Sequence, residues 1–167
     1  MADSKRITFD SITKQSFWNL FNLINNRSNV PNPINSSNKF VYTRIPDIGR
    51  GFNNFPFIVI SRSRPTKNGH TADLSKAFRN YSFSIMVYTQ DNNSDSSGDP
   101  KGAAQNELIT DSIIKTLDNP TNRKTLIDYG MANLVYDTDT DEDEFEGKSV
   151  FVTEFDLRFN NNLIATS

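Results

Sequence analysis

One histidine, His70, is the only side chain in this sequence whose ordinary pKa suits proton transfer near neutral pH, and cysteine is absent altogether. His70 follows Gly69 in a turn-prone stretch, with no serine and acid spaced to complete a catalytic triad. The lack of cysteine removes thiolate catalysis, disulfides, iron–sulfur clusters and cysteine zinc sites together. Gly49-Arg50-Gly51 imitates the opening of a dinucleotide fingerprint, but Asn54 stands where the third glycine belongs and no helix pattern follows. A cradle of backbone amides for a pyrophosphate is therefore not expected there, and no Walker-type loop is present. What remains is the chemistry of carboxylates and of basic side chains.

The carboxylates are concentrated. Residues 137–146 hold seven acids and no base: Asp137, Asp139, Asp141, Glu142, Asp143, Glu144 and Glu146. Alternating oxygens of this kind suggest a calcium loop, but the twelve-residue pattern fails from either start. Counting from Asp137, Glu142 occupies the sharp-turn glycine position and Lys148 the bidentate glutamate position; counting from Asp139, they are Glu144 and Val150. Asp91, Asn93 and Asp95 fail likewise, with Ser96 and Gly102 in the two critical places. Paired carboxylates for glycoside hydrolysis need a fixed separation and an apolar pocket, which an acidic hairpin tip does not offer. No catalytic residue, cofactor or metal site is expected.

The basic residues form an opposite pole: Arg44 to Arg79 holds seven Lys or Arg against Asp47 and Asp73. Arg62, Arg64, Lys67 and Lys76, with Phe52, Phe55 and Phe78 nearby, could neutralise phosphates and stack on bases. A whole-chain pI of about 5.4 and the inclusion of Phe57 in an apolar run weigh against that reading.

The elements that must position these charges follow from periodicity. Phe17, Leu20, Phe21 and Ile24 share one helical face after Phe9, with Asp10 or Thr13 as candidate caps, and Pro31 and Pro33 lie beyond its end. Lys39 to Arg44 and Phe57 to Arg62 read as strands around a segment broken by Pro46, Gly49, Gly51 and Pro56. Arg79 to Gln90 alternates clearly, with Tyr81, Phe83, Ile85 and Val87 on one face. Between these strands, 63–78 reads as an arm leaving the body, and 91–100, nearly all Asp, Asn, Ser and Gly, as a mobile loop. A second amphipathic helix runs from Ala104 to Leu117, ended by Asn119-Pro120; Thr121 to Asp128 adds a turn or two before Gly130, a left-handed cap. Met131 to Asp137 and Ser149 to Asn160 close the chain as a hairpin whose tip, 138–147, is acidic.

The expected fold is α+β: one domain over 1–167, with a flexible segment at 1–9 and a mixed, mostly antiparallel sheet of about five strands. Two main helices pack on one face. The hydrophobic fraction of 35% is modest, but thirteen Phe residues concentrate it in rings, so the core should be aromatic. No apolar run approaches the ~20 residues of a membrane span, and Met-Ala-Asp-Ser-Lys-Arg leads into no signal region, which points to a protein made in a cytoplasm.

The succession of N-terminal helix, Phe55-Pro-Phe-Ile-Val-Ile-Ser-Arg62 strand, arm, Tyr81-Ser-Phe-Ser-Ile-Met-Val-Tyr-Thr89 strand, gap, Ala104–Leu117 helix and hairpin resembles the tail terminator (tail completion) proteins of long-tailed bacteriophages. That resemblance covers roughly residues 10–160 and lies in pattern and layout. It implies a non-enzymatic virion protein, assembled in the host cytoplasm, that forms a hexameric ring on the tail tube protein. Such a ring meets the head-completion (neck) proteins and leaves a channel through which viral DNA passes without sequence-specific binding. A different head–tail connector or tube component is the neighbouring reading, and a nucleic-acid-binding or adaptor module is the reading from another class. Independently of the resemblance, a basic arm and an acidic tip on one chain can meet head to tail between copies. Arg62, Arg64 and Lys67 are accordingly expected to face Asp139, Asp141, Glu142, Asp143 and Glu144 of a neighbour. The competing placement puts the acidic tip in the channel, repelling phosphate.

Overall fold

Two long alternating segments dictate the architecture. In Arg79–Gln90 the alternate residues Tyr81, Phe83, Ile85 and Val87, and in Lys148–Asn161 Phe151, Phe155, Leu157 and Phe159, are apolar, so each segment can bury that face when extended. A computed structural model describes residues 9–34, 37–47, 52, 54–62, 66–67, 79–91 and 101–161. Its elements in chain order are α1 (Phe9–Asn25), β1 (Val41–Tyr42), β2 (Phe57–Arg62), β3 (Thr66–Lys67), β4 (Arg79–Gln90), α2 (Gly102–Asp118), α3 (Pro120–Asp128), β5 (Ala132–Phe145) and β6 (Lys148–Asn161). Of the flexible segment expected over 1–9 and the mobile loop expected over 91–100, residues 1–8 and 92–100 lie outside the described residues, as do Arg64, His70 and Gly49-Arg50-Gly51.

The strands form one mixed sheet in the order β1-β2-β4-β6-β5, with β3 paired to the start of β4. β4 and β6 pair antiparallel along their whole length, from Arg79 opposite Asn161 to Gln90 opposite Val150. β2 and β5 flank them antiparallel, and β1 lies parallel to β2. The fold is thus α+β as the periodicity indicates, with three helices where two main ones are expected.

The core lies between the sheet and the helices. Phe17, Leu20 and Ile24 of α1, Ile109, Ile113 and Leu117 of α2, and Leu126 of α3 pack with Ile58, Ile60, Phe83, Ile85, Val87, Phe155 and Leu157. Aromatic rings dominate: Phe83 meets Phe17 at 5.7 Å and Phe159 at 4.9 Å between centroids, both edge to face. Pairs in this geometry contribute roughly 0.5–1.5 kcal/mol beyond their burial. One buried polar side chain, Asn106, fastens α2 to the sheet. Its amide donates to the carbonyls of Val87 and Phe151 at 3.3 Å each, and its oxygen accepts from Thr153 at 2.5 Å and from Thr110 at 3.3 Å. At the start of the same helix Gly102 holds φ +53°, and a Cβ there would meet the Phe151 ring at 3.1 Å, so only glycine fits. Asn119 ends α2 and also starts α3, where its side chain accepts from the amides of Thr121 and Asn122.

Four expectations need correction. Asp10 and Thr13 lie inside α1, so neither caps it. The strand expected over 39–44 shrinks to Val41–Tyr42, with Thr43–Asp47 leaving the ladder. Within the expected arm, Thr66 and Lys67 pair with Asn80 and Arg79 and continue the ladder of β2 along β4. The largest change concerns the hairpin. Its tip is not the acidic segment 138–147 but the two residues Glu146 and Gly147, whose φ of 51° and 73° match the left-handed turn that joins right-twisted strands. The acids stand along a fourteen-residue strand, β5, paired with β6 up to Phe145 opposite Lys148. Acidic composition reads as loop, but β6, rich in Val, Phe and Thr, offers a template whose hydrogen bonds and Glu-Gly turn extend the pairing.

Asn106→Ala leaves two hydroxyls and two carbonyls without their partner and is expected to lower unfolding free energy by about 1–3 kcal/mol in urea titrations. Gly147→Ala, at a position open to solvent but left-handed, is expected to cost about 1–2 kcal/mol.

Candidate functional site

The helices cover one face of the sheet; the other carries the functional candidates. Strand alternation sends Asp137, Asp139, Asp141 and Asp143 of β5 and Glu154 and Asp156 of β6 to that open face. Glu142 and Glu144 take the opposite side of the hairpin, along with Thr138 and Thr140. All of these acids are exposed. Asp137 stands directly across from Asp156, and Asp139 across from Glu154, pairings of like charge that work against the hairpin. Arg158 is the compensating cation, bridging to Asp137 and reaching Asp156 at 3.5 Å.

Moving across the sheet, the open face changes character. On β4 and β2 the hydroxyls of Ser84 and Ser61 bond at 2.7 Å. Beyond them is a knot of rings: Phe57 stacks on Tyr88 at 4.7 Å and meets Phe52, Phe55 and Tyr42 at 5.2, 5.2 and 6.0 Å. Burial raises the Tyr88 pKa above its ordinary value, and the carboxylate of Glu154 on the neighbouring strand raises it further. Here the acidic field of the face acts on a neighbour.

The sequence-predicted basic partners are distributed differently. Arg62 ends β2 with its guanidinium 4.5 Å from the centre of the Phe17 ring, so it packs on its own α1. Lys67 lies in β3, opposite Arg79. Arg64 is outside the described residues. Strands β4 and β6 separate β2 from β5, so at ~4.8 Å per strand the ladder of Arg62 is about 14 Å from the acidic strand of the same chain. The structure therefore gathers Asp139, Asp141 and Asp143 on one surface and Glu142 and Glu144 on its reverse, and brings none of them to Arg62.

Sequence reasoning assigned no site role to five participants. Glu154 and Asp156 join the acidic face because β6 places its polar alternate residues there, a signal visible in the alternation once the register is known. At the opposite edge, Lys39 lies 4.8 Å from the Tyr42 ring centre, Arg27 donates to the carbonyl of Asn38 at 3.2 Å, and Arg44 is exposed. These cations come from α1's end and from both sides of β1, and only the fold unites them.

On the helix side a groove of about 310 Å³ opens between α2 and the hairpin, with Glu107 and Asp111 on its wall and Thr140 and Phe151 among its lining. Thr140 and Thr153 bond there at 2.9 Å. Among the described residues no group of three or more His, Asp or Glu side chains is arranged to hold a metal ion, and no helix is long and apolar enough to cross a membrane. No protein-family model matches this chain, and no curated protein sequence matches it.

Replacing Asp139 by Asn relieves its repulsion from Glu154 and is expected to stabilise the fold by about 0.2–1 kcal/mol at low salt, a gain that shrinks as ionic strength rises. Glu154→Gln should bring the Tyr88 titration down toward its ordinary value while leaving Tyr136 in place, as followed by NMR of the tyrosine Cζ carbons.

Proposed function

We propose that this chain is a structural virion protein of a long-tailed bacteriophage, a tail terminator whose copies form a ring on the tail tube and join it to head-completion proteins. The observation that carries this reading is the acidic part of the sheet face turned away from the described helices, an extended surface bearing Asp137, Asp139, Asp141, Asp143, Glu154 and Asp156. A surface of that kind suits the wall of a channel that duplex DNA must cross without adhering, because carboxylates repel phosphate and release no counterions to it. The packing of Arg62 against Phe17 favours the channel placement of the acids over their pairing with the 62–67 segment of a neighbour. The succession of elements that resembles tail terminators supports the same reading.

Retention of like-charge pairs at a cost in stability also fits a surface selected for its field. A protein that needed only solubility could meet that need with mixed signs.

Negative-stain imaging of the purified protein should reveal rings with a central hole wide enough for duplex DNA. Asp143→Asn/Glu154→Gln/Asp156→Asn should keep the rings while raising the affinity of the ring for DNA in low-salt retention assays. Monomers at high protein concentration, or unchanged DNA retention in the neutralised ring, would count against the channel reading.

A further inference from the structure

The two outer edges of the sheet, β1 and β5, differ in charge and share a level. Tyr42 pairs with Val59, Val59 with Met86, Met86 with Glu154 and Glu154 with Asp139, so one line across the sheet joins β1 to the middle of the acidic strand. Thr43 follows Tyr42 where the chain leaves the ladder, and Thr138 precedes Asp139 on β5. With strands ~4.8 Å apart, the two edges are about 20 Å from one another, on opposite flanks of one molecule.

Each edge carries what the other lacks. Alongside β1 runs a groove of about 760 Å³ lined by Lys39, Tyr42, Arg44, Ile45 and Phe52. Ile45 is 52% exposed, and Arg27 reaches the same corner through its bond to the Asn38 carbonyl. Asp47 also lines the groove but is engaged within the chain. Along β5, from Asp137 to Glu144, the exposed side chains are acids and threonines, and among the described residues β6 alone pairs with it, along one of its two backbone edges.

We infer that the β1 edge and its groove receive the β5 edge of a second copy of this chain, with Lys39 and Arg44 meeting Asp139 and Asp141. Strand direction supports the match. β1 runs with β2 and β6, whereas β5 runs against β6, so copies placed side by side in the same orientation bring β1 and β5 together antiparallel. Because the contacting edges lie at the same level along the strands, successive copies add without a rise along that direction. This is the condition under which a head-to-tail contact closes into a ring. The open acidic faces of all copies then lie on the same side. The contact rests on the proposed ring for its closure.

The absence of cysteine makes the test clean. Thr43→Cys and Thr138→Cys replace exposed residues outside the charged set, each next in sequence to a residue of the line that joins the two edges. Mixed under mild oxidation, the two single variants should form a disulfide-linked heterodimer, while each alone should not cross-link. Lys39→Glu/Arg44→Glu in the first partner should reduce the yield roughly tenfold, matching ~1.4 kcal/mol of lost affinity, and Asp139→Lys/Asp141→Lys in the second should restore it. Rings seen by negative stain without this cross-link overturn the edge contact and leave the ring standing. A Thr43→Cys/Thr138→Cys double variant that yields open ladders and no closed species supports the contact and removes the ring. Cross-linking of either single variant with itself, or a chain that stays monomeric and unlinked, overturns the inference.

Discussion

The pairing of β4 with β6 is the constraint on which the rest of the molecule depends. Both strands alternate, and their register sets Tyr81, Phe83 and Ile85 beside Phe159, Leu157 and Phe155 on one face. That face is apolar enough to draw all three helices onto it, and the same register sends Ser82, Ser84, Met86 and Tyr88 out beside Arg158, Asp156, Glu154 and Val152. A slip by one residue would exchange the two sets and bury carboxylates under α2. Asn106 guards against it, since three of its four hydrogen bonds reach Val87 on β4 and both Phe151 and Thr153 on β6.

β5 is held by its neighbours. It has few apolar residues, and Asp137 and Asp139 oppose acids on β6. Leu134, buried near its start, anchors one end, and the Glu146-Gly147 turn fixes the other. Between them, the Thr140–Thr153 hydroxyl pair and the backbone ladder keep the strand extended. Opposing charges such as these are tolerated when pairing elsewhere is strong. Edge strands rich in charge also resist indiscriminate addition of other strands, so any contact that forms along β5 must bring cations with it.

Much of the body was legible in the residue pattern because each face of β4, β6, α1 and α2 repeats at its own period. Helix α1 ends at Asn25, and Gly130 is left-handed at φ 99°, both as read from composition and spacing. The hairpin was not legible, because the stretch Asp-Thr-Asp-Thr-Asp-Glu-Asp-Glu has no strand signature of its own and becomes one only beside β6. Nor was the position of Arg62, whose guanidinium finds the Phe17 ring through the packing of α1 on β2, a meeting between residues far apart in the chain. The basic edge was only partly legible: Lys39 and Arg44 bound one expected strand, but Arg27 joins them only through its bond to the Asn38 carbonyl.

The sequence by itself determined the inventory and the alternation. A chain without cysteine and with one histidine cannot draw on thiol chemistry, and thirteen phenylalanines at strand and helix spacing require an aromatic core under a polar exterior. Tertiary structure alone decided which charges act together. Pairing across the sheet made one face from the acids of β5 and β6 and set a basic edge opposite them, because a strand's neighbours are chosen by long-range register, which no local spacing encodes.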